Sequence, residues 1–197
     1  MAEILKLKAG AKVPFPEKLY EGFEVGKDHI TANIGIDKIV AIVQDFVKTQ
    51  DSPVFFFLDI PRRHPELAGK ALELTEKDEE TYYLDGCTQK MALAVFDTFS
   101  ELLVNDGLSA FGFGNHITND EIMFGKYNVA SIYSRNIEKY VAFLEEHGIE
   151  KTERLTTAWD TFSYDTPGNS ETLEFRGATV YDIPDLLAEC GMYRAER

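Results

Sequence analysis

Apolar residues recur at intervals of three and four between residues 36 and 48. Ile36, Ile39, Val40, Val43, Phe46 and Val47 share one face of a 3.6-residue period, while Asp37, Lys38, Gln44, Asp45 and Lys48 fall elsewhere. The spacing predicts an amphipathic helix, opened by Gly35 and closed by Gln50-Asp51-Ser52-Pro53. A second helical pattern runs from 88 to 105. Met91, Ala94, Val95, Thr98, Leu102 and Asn105 form one row, widened by Phe96, Phe99 and Leu103, and Asn105-Asp106-Gly107 is a stop signal. A third helix is predicted over 135–147, with Ser134 as N-cap, Ile137, Tyr140, Val141 and Leu144 inward, and Gly148 beyond its end.

Between the first two helices, Val54-Phe55-Phe56-Phe57-Leu58 is continuously apolar and bounded by Pro53 and Pro61. That is the pattern of a strand covered on both faces. Strands are also predicted at 4–8, 108–113, 121–124 and 127–133. The last fifty residues read as a meander at 154–165, 172–175 and 179–181, followed by a short helix at 184–190. Residues 61–86 read as an acidic insertion or lid, with a short helical stretch at 66–74 and a return to the core at Tyr82-Tyr83-Leu84. No linker, repeat or low-complexity stretch divides the chain. Consecutive strands in the C-terminal half argue against a doubly wound parallel fold. The expectation is one α+β domain over 1–197, a mixed or mostly antiparallel sheet packed against three main helices.

The 197 residues include 34 Asp and Glu against 20 Lys and Arg, a net charge of −14, and are 44% hydrophobic. The apolar share suffices for a core and argues against disorder. The net field repels phosphate, so no nucleic-acid partner is expected. No apolar run approaches the ~20 residues that span a bilayer, so no membrane partner is expected and the setting reads as cytoplasmic. Cys87 and Cys190 fit no metal or redox spacing and leave one long-range disulfide open. The acidity is uneven: Glu73, Glu76, Asp78, Glu79, Glu80 and Asp85 fall within thirteen residues beside a single base, Lys77.

The chain has no phosphate-binding glycine loop, no His-Glu-x-x-His, no Cys-x-x-Cys and no Gly-x-Ser-x-Gly. Three weaker constellations are left. Asp59 leaves a central strand beside Arg62, Arg63 and His64. There a carboxylate and an imidazole offer acid–base chemistry, and two guanidiniums can hold an anion. His116 follows Phe113-Gly114-Asn115, with Asp120 and Glu121 nearby. In Trp159-Asp160-Thr161-Phe162-Ser163-Tyr164, an extended backbone puts Asp160, Phe162 and Tyr164 on one face, a composition that suits a partner or small ligand. Each has a plain structural alternative: a solvated turn, a strand end, core packing.

The leading functional expectation is a non-enzymatic protein-binding module of the inhibitor, immunity or adaptor kind. It would meet a basic partner through acids such as Glu79 and Glu80 and through Arg62, Arg63, Asp160 and Tyr164. The alternative is a small hydrolase or transferase using Asp59, His64 and His116. A third reading is a self-associating homodimer that pairs edge strands. No metal or cofactor is implied.

Overall fold

The computed structural model describes residues 3–62 and 79–196. Those residues form ten strands: β1 (Ala11–Lys12), β2 (Gly22–Val25), β3 (His29–Asn33), β4 (Val54–Pro61), β5 (Glu79–Cys87), β6 (Ala110–Asn115), β7 (Asp120–Phe124), β8 (Val129–Tyr133), β9 (Asn169–Ser170) and β10 (Tyr193–Arg194). Four helices accompany them: α1 (Ile36–Lys48), α2 (Gln89–Asn105), α3 (Ile137–Glu146) and α4 (Ile183–Leu186). Eight strands make one sheet in the order β10-β5-β4-β6-β7-β8-β3-β2, every neighbouring pair antiparallel, and β1 pairs with β9 apart from it. This is the expected α+β arrangement with three main helices.

β4 lies third from one edge and is buried at every position except Asp59, which is half-buried. Val54, Phe56, Leu58 and Ile60 turn toward the helices. They meet Phe111 and Phe113 of β6, Ile122 and Phe124 of β7, and Phe96 of α2 in one contiguous core. Phe96 stacks on Phe111 at 6.0 Å and meets Phe113 edge-on at 5.9 Å. α1 occupies the residues its periodicity predicts, with Ile39, Ile42, Val43, Phe46 and Val47 buried; Val40 is exposed, and Ile42 takes the inward place assigned to it. In α2, capped by the Thr88 hydroxyl on Met91 N, the buried row is Ala92, Phe96, Leu102, Leu103 and Val104. Met91, Ala94 and Thr98 face out, so the predicted stripe is rotated. α3 starts at Ile137 with Asn136 as its N-cap, and Ser134 instead spans Asn136 N and Asp120. Gly148 takes the expected left-handed conformation, φ +72°.

Four other expectations are corrected. Residues 4–8 make one bridge, Ile4 to Tyr20, and no strand. Their backbone hydrogen bonds are divided among Leu19, Ile36 and Asn128, which no single ladder can satisfy. Residues 79–87, read as part of an excursion, are strand β5, paired along the whole of β4 from Pro61–Glu79 to Val54–Cys87. The helical stretch at 66–74 lies outside the described residues. Residues 154–165 hold a 3-10 turn at Ala158–Thr161, and the hairpin at 172–181 reduces to a Phe175–Ala178 bridge and a 3-10 turn at Val180–Asp182. The reason is local. Thr157 with Asp160, and Thr179 with Asp182, each form a reciprocal capping box that bends the backbone out of the extended form.

Candidate functional site

Side chains alternate across a strand, so the face turned away from α1 to α3 is read from the registers. One row crosses all eight strands: Tyr193, Tyr83, Phe57, Gly112, Met123, Ser131, Thr31 and Glu24. A second row beside it runs Phe55, Gly114, Glu121, Tyr133 and His29. On the other side of the first lie Thr81, Asp59 and Ala110.

Two glycines set the relief. A Cβ on Gly112 would strike the Phe57 ring, and one on Gly114 would strike the Phe55 ring. Both rings lie over β6 and are 4% exposed. Tyr83 packs against them at 6.1 and 6.0 Å, and His116, in the turn after β6, stacks on Phe55 at 4.3 Å. Over this aromatic layer lie the exposed side chains of His116, Tyr193 and Asp85, and further along the second row the exposed Tyr133 stacks on His29 at 5.2 Å.

Among the described residues, the charged strand positions of this face are acidic. Its strand positions carry Glu24, Asp59, Glu79, Asp85 and Glu121, two of their neighbours are His29 and His116, and no Lys or Arg occupies any of them. Glu24 accepts from Leu155 N at 2.8 Å, and Glu79 reaches Lys126 at 3.5 Å at the rim. Asp85 accepts from the Tyr193 hydroxyl at 2.6 Å and contacts His116 Nε2 at 3.0 Å. The Glu121 carboxylate has no hydrogen bond or ion pair among the described residues. Burial pushes its carboxyl above the ordinary range, the Asp59 charge adds to this, and His116 opposes it. Tyr83 is pushed up as well, by burial first and then by Glu121, Asp59 and Asp85.

The predicted site residues are dispersed. Asp59 sits inside β4, two residues before its end, and not at a strand terminus. Arg63 and His64 lie outside the described residues. Asp59 pairs with Ala110 and Phe55 with Gly114, so His116 on Phe55 is roughly 13 Å along the strands from Asp59. The carboxylate that meets His116 is Asp85. Asp120 and Glu121 point to opposite faces. Among the described residues no group of three or more His, Cys, Asp or Glu side chains is arranged to hold a metal ion.

Arg62 and Arg194 both pair with Glu80, at 3.3 and 2.9 Å, and Tyr82 donates to the same carboxylate at 3.0 Å. Burial draws Glu80 upward, but these donors outweigh it and hold the carboxyl below its usual value. Arg62, Glu80 and Arg194, with Glu79, Thr81, Ala195 and Glu196, line an open cleft of about 390 Å³ beside β5. Asp160 is spent on its capping box, accepting from Thr157 N at 2.7 Å and from the Thr157 hydroxyl at 2.8 Å. Tyr164 is fully exposed, and Trp159, half-exposed, stands edge-on to Tyr127 at 4.9 Å.

Tyr83, Asp85, Glu121, Tyr133 and Tyr193 escaped notice as one group because they come from four strands. The legible signal was Glu121 alternating with Ile122 and Phe124. No family model, no curated protein and no solved structure matches this chain. Among the described residues no helix is long and apolar enough to cross a membrane.

Proposed function

We propose that the chain is a non-enzymatic protein-binding module, of the inhibitor, immunity or adaptor kind, that engages a basic partner across the second face of its sheet. One observation carries this: five carboxylates and no Lys or Arg on the strand positions of a face whose outer surface is aromatic. Such a surface steers a cationic partner by its field and supplies tyrosine and histidine rings for contact. The test is capture of basic proteins at low salt by the wild type and by the Asp85→Lys/Glu121→Lys double variant. Capture by the wild type should weaken steeply as salt shortens the Debye length below ~10 Å. It should be lost in the double variant while melting remains cooperative. Undiminished capture by the folded double variant would refute the reading.

A second reading rests on the His116–Asp85 contact at 3.0 Å, a carboxylate-oriented imidazole of the kind general bases use. Among the described residues nothing hydrogen-bonds its Nδ1. A hydrolase or transferase that uses this pair loses turnover of model esters in His116→Ala, whereas a binding module has no turnover to lose.

A further inference from the structure

The chain's two cysteines are free thiols, Cys87 buried and Cys190 exposed. Their separation of about one hundred residues in sequence is undone by the sheet. β10 runs antiparallel to β5, with Tyr193 opposite Tyr83 and Arg194 opposite Tyr82. Beyond that pair, residues 84–87 and residues 192–190 leave it in the same direction, the first along β5 and the second into a 3-10 turn at Ala188–Cys190. Leu187 and Met192, on either side of Cys190, are buried in the same hydrophobic core as Leu84 and Cys87. Hydrogen bonds from Cys190 N and Met192 N to Leu187 O, at 3.0 and 3.2 Å, close the intervening turn, and Gly191 takes φ +97° within it. Burial pushes the Cys87 thiol up, and the nearby Asp85 and Cys190 add to this, as neighbours in one electrostatic environment do.

We propose that Cys87 and Cys190 are a redox pair that closes an intramolecular disulfide between β5 and the C-terminal segment. The oxidant is a low-molecular-weight disulfide. The exposed Cys190 thiolate attacks one of its sulfurs, forms a mixed disulfide and releases one thiolate. Cys87, deprotonated in turn, attacks the Cys190 sulfur and releases the second thiolate. Two protein thiols lose two electrons and two protons, and the oxidant leaves as two thiols. Tyr193 lies three residues past Cys190 and bonds Asp85, two residues before Cys87. The bridge therefore clamps the strand that shapes one end of the acidic face. This step stands independently of what that face binds.

The test incubates the folded full-length chain with oxidised glutathione, followed by intact mass and non-reducing peptide mapping. The expected product is a monomer lighter by two hydrogens, with a Cys87–Cys190 cross-linked peptide and no remaining free thiol. Its melting point should rise by on the order of 10 °C, reversed by dithiothreitol. Cys190→Ser, altered at an exposed position, should keep its fold, show no mass loss and show no rise. The proposal is overturned if the native chain stops at glutathione on Cys190 with Cys87 free, if covalent dimers form instead, or if the cross-link appears only in denaturant.

Discussion

Asp120 and Glu121 are adjacent in sequence and opposite in chemistry, because a strand turns successive side chains to opposite faces. Asp120 is buried on the helix side. Burial draws its carboxyl up, but hydrogen bonds from Ser134 at 2.6 Å, Tyr140 at 2.8 Å and Lys139 at 3.2 Å outweigh it and hold the group below the usual range. Its stabilisation is therefore present above the unfolded-chain value and is lost as pH falls through the folded one. Asp120→Asn should cost about 1–3 kcal/mol at pH 7, with the deficit shrinking in acid, as denaturant titrations at several pH values will show. Glu121 behaves oppositely. Native protein keeps a proton that the unfolded chain has already lost, so stability falls as pH rises from the unfolded value toward the raised one. Glu121→Gln should melt higher than wild type at neutral pH, and the advantage should vanish below about pH 4. Lys8 extends the same reasoning to a base. Burial lowers it to about 8, Asp106 opposing and Lys126 assisting, and its Nζ donates to Gly125 O at 3.0 Å. Between pH 8 and 10.5 the unfolded chain binds the proton that the native state has released, so this group makes stability rise with pH, by up to about 3 kcal/mol. Lys8→Met should flatten that rise, which urea midpoints across the interval measure directly.

At the scale of elements, α1 was legible in its bounds to the residue because its glycine start and its stop agree with its periodicity, although Val40 turns out and Ile42 turns in. α2 was legible in extent but not in azimuth. Its sequence is apolar on more than one side, and only the packing of Phe96 between Phe111 and Phe113 chooses the inward row. Phe96→Ala should accordingly cost about 3–5 kcal/mol, and Met91→Ala less than 1, by thermal or denaturant melts. The C-terminal segments were misread because Thr favours strands by propensity, whereas here Thr157 and Thr179 cap turns with an Asp three residues on. The pairing of β5 along β4 was hidden by its acidic, Tyr-rich composition, which resembles a surface loop when read without its partner. Gly112 and Gly114 admit no Cβ, and Gly112→Ala should lose about 1–3 kcal/mol by driving its methyl into Ile122 O of β7 and the Phe57 ring.

Across the whole molecule, the net charge of −14 is arranged rather than merely abundant. Glu80, placed by sequence in the run offered to a partner, is neutralised by two arginines. Asp85, from the same run, reaches the aromatic face with Asp59 and Glu121. That gathering was illegible because it depends on strand order: β5 pairs with β4 and β6 with β7 as consecutive strands, but β4 meets β6 through a crossover that no local spacing encodes. The same alternation turns β4 into a parity device. Even-numbered residues from Val54 to Ile60 serve the core, and odd-numbered Phe55, Phe57 and Asp59 serve the opposite surface. Deleting one residue within the strand exchanges the two sets and drives Asp59 toward the apolar layer, whereas deleting two restores every later side chain to its own face. Among length variants of this protein, those altered here by an even number should survive where the odd ones do not.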